Sequence, residues 1–242
     1  MARKKIVFVI VEGPSDEEAL GLFLNRIYDK NSVHVHIVHG DLTTMTGSIK
    51  NRIADEIRAY ANSTHLKKIH FQEVIHIVDM DGAYIPDSAV VEDAGALNPV
   101  YSTTEIRTHN PEGIQSRNER KRSNLDTISS LHSVWGGVPY QAYYMSCNLD
   151  HVLYNKLNCT DAEKENNAFA FARQYKNDVS GFISYIEDSD FSVPGTYLET
   201  WDFIKQEKHS LERYTNLGIC LRAADETREE NEDEEKLPKP RR

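Results

Sequence analysis

Two short apolar runs, Ile6 to Val11 and Val74 to Val78, are continuous, the pattern of a parallel strand buried on both faces. Between them Leu20, Phe23, Leu24 and Ile27 recur at helical spacing, as do Ile49, Ile53, Ile57 and Tyr60, and Val33 to Val38 reads as another strand. With the third strand taken as Glu73 to Asp79, the order strand, helix, strand, helix, strand predicts an α/β fold. Its mainly parallel sheet would have right-handed crossovers and helices on its faces. Ser15, with Glu18 three residues later, has the pattern of a capping box and predicts the start of the first helix.

From Ala83 to Asn118 the periodicity stops, and Pro86, Pro99 and Pro111 are scattered among polar residues. This predicts an insertion, about 83–118, without regular structure, of the kind that forms lids and binding loops. It ends in Arg117-Asn118-Glu119-Arg120-Lys121-Arg122, the densest basic stretch, which leads into a helix through Leu125, Ile128 and Leu131. Gly136-Gly137 then turns the chain into a fourth strand, Val138 to Met145. Beyond Cys159 strand signals cease. Phe171, Tyr175, Phe182 and Ile186 predict one helix, and Leu198, Trp201, Ile204, Leu211 and Tyr214 another, with a turn at Pro194-Gly195. Such aromatic stripes suit a helix-packing core better than a base-stacking platform. The expected organisation is a domain over 1–158, a helical extension over 159–224 and an acidic, disordered tail over 225–242.

The apolar runs end in acids. Glu12-Gly13-Pro14-Ser15-Asp16 follows the first, and Asp79-Met80-Asp81-Gly82 the third strand. Open α/β sheets bind ligands beyond the carboxyl ends of their strands, so Glu12, Asp79 and Asp81 would share one crevice. Carboxylates so crowded must pair with cations, bind metal or protonate, and hard oxygen donors suit Mg²⁺ or Mn²⁺. Asp79 and Asp81 are two apart, so on an extended backbone both project to one side. Asp16, in a first helical turn, and Asp150, where a helix begins after the fourth strand, are further metal candidates, although the helix dipole favours acids there anyway. The competing reading of all five acids is ordinary capping and surface charge. Arg117, Arg120, Lys121 and Arg122 are either a solvated helix face or a phosphate clamp that binds nucleic acid. His34, His36 and His39 lack an acid or cysteine at matching spacing and read as strand-face histidines rather than metal ligands. Gly13 permits a tight turn, and no dinucleotide fingerprint follows the first strand.

The 242-residue chain carries a net charge of -10 and a mean hydropathy of -0.57. No apolar stretch approaches the roughly 20 residues that span a bilayer, and Met-Ala-Arg-Lys-Lys leads into a strand rather than a signal-peptide core, so a cytoplasmic protein without membrane association is expected. Cys147, Cys159 and Cys220 lack the spacing of a zinc site and suit reduced thiols. An acidic chain grips nucleic acid poorly by itself. It needs metal, a local basic patch or a partner, or else it never touches nucleic acid.

Val11-Glu12-Gly13 and Asp79-Met80-Asp81-Gly82, in this order at strand ends with helices between, resemble the TOPRIM (topoisomerase–primase) domain over roughly residues 4 to 158. Asp16 extends the first motif to Glu-Gly-x-x-Asp and is most similar to TOPRIM nucleases of the OLD (overcoming lysogenization defect) type and related bacterial anti-phage proteins. Asp150 stands where OLD-like relatives carry an acid, whereas the family's basic residue near the domain's end has no assigned equivalent. The resemblance implies cleavage of DNA or RNA dependent on Mg²⁺ (or Mn²⁺). Asp79 and Asp81 would hold metal at the scissile phosphate, Glu12 would bind metal or act as general base, and Asp16 with Asp150 would complete a second metal position. OLD-type proteins join an ABC-like ATPase to this region, and the present sequence contains no Walker A motif. The implied role is the effector of a two-component anti-phage, abortive-infection system with a separate ATPase as partner. Two competitors stand beside it, a regulatory or assembly subunit with a structural cation site and a primase-like nucleotidyl transferase. DNA versus RNA, and homo-oligomerisation, stay open.

Overall fold

The computed structural model describes residues 4–28 and 33–224; the tail at 225–242 lies outside them. Strands and helices alternate at first: β1 (Lys5–Val11), α1 (Pro14–Ile27), β2 (Val33–His39), α2 (Ile49–Ser63) and β3 (Phe71–Asp79). There follow β4 (Val90–Glu92), β5 (Val100–Tyr101), β6 (Ile106–Thr108), α3 (Pro111–Ser129), β7 (Ser133–Val134) and β8 (Val138–Ser146). The C-terminal part contains α4 (Leu149–Tyr154), α5 (Asp161–Tyr175), α6 (Val179–Glu187), α7 (Tyr197–Ile204), β9 (Tyr214–Thr215) and a helical stretch at 217–224.

The fold is α/β, as expected. The main sheet runs β2-β1-β3-β8-β7, with β9 also on β8. β2, β1, β3 and β8 are parallel, so their carboxyl ends lie along one edge of the sheet. The continuous apolar run of β1 follows from its central place. Val7, Val9 and Val11 enter the core beneath α1 and α5, while Ile6, Phe8 and Ile10 enter the opposite core with α2 and α3.

Several local expectations are corrected. Helix α1 is capped at Gly13, whose N–H donates to Asp16 Oδ2 at 2.8 Å, rather than at Ser15 with Glu18. Pro14 opens the helix because the missing N–H of proline costs nothing in a first turn. The 83–118 segment is not structureless. β4, β6 and β5 form a small sheet over a core of Ile85, Val90, Ile106, Ile114 and Leu211. Strands of two or three residues are too short for a period to be legible. Helix α3 begins at Pro111, with Gly113 N–H donating to the Asn110 side chain, so the basic stretch lies inside the helix.

The stripe from Phe171 to Ile186 is two helices, α5 and α6, interrupted where Asp178 caps the second by accepting from Gly181 N–H at 2.8 Å. The stripe from Leu198 to Tyr214 is helical only over α7, and Tyr214 belongs to β9. Nor are these elements an appendix. Phe171, Phe182, Ile186 and Leu217 share the core of Val7, Val9 and Val11, and Trp201 and Ile204 share that of Phe8 and Ile10. The aromatic stripes are therefore core. Cys147 and Cys220 are buried, Cys159 is partly exposed, and all three are free thiols. Among the described residues no helix is long and apolar enough to cross a membrane.

Candidate functional site

Each of the four parallel strands delivers an acid to the carboxyl edge. Glu12 directly follows β1, and its Oε1 accepts the backbone N–H of Asp79 at 3.0 Å. Asp79 closes β3, and its Oδ1 accepts the N–H of Leu149 at the start of α4 at 3.1 Å. Asp41 lies two residues past β2. Its carboxylate accepts from the backbone and hydroxyl of Thr43, at 3.0 and 2.6 Å, and from the Thr44 hydroxyl at 2.8 Å. Asp150, in the first turn of α4, is the acid beyond β8.

Asp81 does not follow the alternation that its spacing from Asp79 suggested. Its φ is +49°, in the left-handed region that aspartate tolerates, and Gly82 follows with φ +67°. The pair turns the chain sharply, so Asp79 and Asp81 reach different partners. A Cβ on Gly82 would lie 2.6 Å from Leu211 Cδ2, which makes glycine a packing requirement as well as a conformational one.

Helix α3 supplies the cations. Lys121 is fully buried; its ammonium contacts Asp81 Oδ2 directly and lies 3.4 Å from Glu12 Oε1. Arg117, one turn earlier, is half-buried and donates from Nη2 to the Asp81 carbonyl at 2.7 Å and from Nη1 to the Tyr101 hydroxyl. Asn118 and Asn124 flank Lys121 at three-residue spacing. Asn124 donates to the carbonyls of Thr43 and Met45, and Asn118 to that of Gly82. This buried polar stripe fastens α3 across the loops after β2 and β3.

Burial dominates the electrostatics. It pushes Glu12 up to about 8; Lys121 opposes this, and Asp81 and Asp41 add to it. Asp79 is also held well above the usual carboxylate range by burial, then by Glu12, Asp16 and Asp81. Burial alone would push Lys121 down, but Asp81, Glu12, Asp41 and Asp79 together reverse this and hold it above its ordinary value. Asp41 is held low, because Lys121 and the Thr43 and Thr44 hydrogen bonds outweigh its burial.

Asp16, in the first turn of α1, and Asp150, in the first turn of α4, interact electrostatically beside this cluster. Burial pushes Asp16 up to about 6, with Asp150 adding to the effect, and burial raises Asp150 against the pull of Lys164, Asn167 and Cys159. Asp150 Oδ1 is buried and receives no hydrogen bond among the described residues. A buried carboxylate oxygen left so is costly unless a cation or proton meets it.

The structure thus gathers Glu12, Asp79 and Asp81, sets Asp16 and Asp150 beside them, and turns Arg117 and Lys121 inward. Arg120 is exposed and Arg122 half-buried on other faces of the helix, so the four basic residues, read as either a solvated face or a phosphate clamp, are divided by the helical period. Lys121, fully buried, is not a surface contact for nucleic acid. Asp41, Asn118 and Asn124 were not anticipated. The asparagines had a legible signal, since 118, 121 and 124 recur beside Ile114, Leu125 and Ile128 on one helical face. All acids of the site are hard oxygen donors suited to Mg²⁺ or Mn²⁺. Among the described residues, however, no three potential ligands stand close enough to form a ready cage. Magnesium does not require one, because it is often bound by one or two carboxylates together with water and substrate phosphate. His36 stacks on Tyr60 with ring centroids 3.7 Å apart and His39 pairs with Glu17, roles unrelated to the acids. Comparison with protein-family models, curated proteins and solved structures finds no match to this chain.

Proposed function

We propose that the chain is a metal-dependent nuclease hydrolysing phosphodiester bonds of DNA or RNA. The observation that carries this reading is the convergence of Glu12, Asp41, Asp79, Asp81 and Asp150 at the ends of four parallel strands, with the Arg117 guanidinium alongside. Its motif order, Glu-Gly then Asp-x-Asp, is the basis of the TOPRIM resemblance. Asp79, with Asp81 and Glu12 on one side and Asp16 and Asp150 on the other, would hold Mg²⁺ or Mn²⁺. The ion would neutralise charge on the scissile phosphate and acidify water. Glu12, which burial holds above its ordinary value, would have to give up its own proton when metal binds before it could accept one from an attacking water. Arg117, whose guanidinium already donates to Asn118, Tyr101 and the Asp81 carbonyl, would have to exchange one of these bonds to meet a phosphate oxygen, and Lys121 offsets the negative charge of the acids.

With a net charge of -10 the chain needs help to hold nucleic acid. A separate ABC-like ATPase, in an anti-phage abortive-infection pair, would supply that grip or restrain the nuclease until it is needed. The test is incubation with plasmid, linear DNA and total RNA, with Mg²⁺ or Mn²⁺, using the chain alone and with any ATPase encoded beside it. Metal-dependent cleavage lost in Glu12→Gln supports the reading. A second reading, a regulatory subunit whose acids serve structure, is favoured by one contact, the Lys121 ammonium already paired with Asp81 and Glu12. Absence of cleavage under every condition, with binding to the ATPase intact, would select it.

A further inference from the structure

Resting on the nuclease reading, we propose that Lys121 is a resident cation of the site. Its ammonium occupies the position between Glu12 and Asp81, so that one divalent ion, not two, binds, on the Asp79 side toward Asp16 and Asp150. Lys121 is not a flexible surface side chain that has fallen onto an acid. Its side chain is fully buried, it touches Asp81 and lies 3.4 Å from Glu12, and it comes from a helix held in place at three other points. Arg117 Nη2 is 2.7 Å from the Asp81 carbonyl, Asn118 Nδ2 is 3.4 Å from the Gly82 carbonyl, and Asn124 Nδ2 is 2.7 Å from the Thr43 carbonyl. Withdrawing the ammonium would require moving α3 or burying the charge elsewhere, and a second divalent ion cannot share its place because like charges at contact distance repel strongly. On the other side the oxygen that lacks a partner is Asp150 Oδ1. The two halves of the carboxylate edge are therefore unequal: Lys121 is in contact with one, whereas on the other, among the described residues, Lys164 draws on Asp16 and Asp150 without forming an ion pair with either, and Asp150 Oδ1 is left without a hydrogen bond.

The test is a count of Mn²⁺ bound by the purified full-length chain, read from the electron paramagnetic resonance of free Mn²⁺ and by calorimetry, with no nucleic acid present. The expected count is one per chain for wild type and two for Lys121→Met or Lys121→Gln, with circular dichroism confirming that each variant is folded. Two ions on the wild-type chain would overturn the proposal and leave the nuclease reading standing, as would one ion on both wild type and a folded variant. No binding by either would overturn the proposal and the metal-dependent reading together. Should both variants fail to fold, the wild-type count decides, one supporting and two overturning.

Discussion

The Glu12 carboxylate accepts the backbone N–H of Asp79 at 3.0 Å, tying the end of β1 to the end of β3 across 67 residues of sequence. It does so while lying 3.4 Å from the Lys121 ammonium, so one side chain joins both strands and α3. Glu12 therefore has a structural use that is independent of any metal. Substitutions in the site must be judged on stability as well as activity.

Glu12→Gln and Asp79→Asn should abolish cleavage and leave the metal-free fold as stable or more so, because each removes a carboxylate that burial and its neighbours disfavour in charged form. Asp81→Asn should differ. It strips the closest counter-ion from a fully buried lysine, a loss of up to roughly 3 kcal/mol when a buried pair is broken from one side. Thermal melts in chelator separate the cases, at about 2–4 °C per kcal/mol for a chain of this size. Equal destabilisation by all three would contradict the asymmetry.

The pH dependence has a definite sign. Glu12 is held at about 8 in the fold against an ordinary 4.5, so the folded chain keeps a proton that the unfolded chain has lost. Stability from this group is full below about 4.5 and declines as pH rises toward about 8. Asp16, at about 6, acts in the same direction. Metal-free wild type should melt lower at pH 8.5 than at pH 5, and Glu12→Gln should flatten that slope. Mn²⁺ binding at neutral pH should also release protons, seen as a dependence of the apparent binding enthalpy on buffer ionisation. No buffer dependence would separate the acids from the metal.

Arg117 and the outward arginines should part company. Arg117→Ala should lower cleavage by about 10²-fold or more, as expected when a donor to the reacting phosphate is lost. Arg120→Ala and Arg122→Ala should act, if at all, through substrate affinity, each reducing the salt slope by about 1 where it meets a phosphate. Salt titrations of binding and single-turnover rates distinguish them. A larger rate effect from Arg120, which is exposed, would mean that substrate lies elsewhere.

A fragment covering 1–158 should not fold, because Phe171, Phe182, Trp201 and Ile204 complete both cores. In the full chain Trp201→Ala should cost about 3–5 kcal/mol. Gly82→Ala should also destabilise, its Cβ meeting Leu211 at 2.6 Å on a backbone with φ +67°. A dispersed NMR spectrum from the fragment would show that the boundary near 158 is a true domain boundary.

The alternation of strands and helices through β3, and the placement of Glu12 and Asp79, were determined by the sequence itself. A continuous apolar run states that a strand is buried on both faces, and an acid joined directly to its end inherits its position from the strand. The rest depended on which surfaces meet. Asp81 took its direction from a left-handed backbone that spacing does not reveal. Lys121 reads as one base in a charged run until α3 is laid across the loops after β2 and β3, where the helical period buries it and exposes Arg120. Asp41 carried no motif and reached the site because β2 lies beside β1 in parallel. The small sheet within 83–108 and the single strand pair of β9 on β8 have too few residues for local preference to outweigh the entropy of ordering them, so their structure rests on burial against distant parts of the chain.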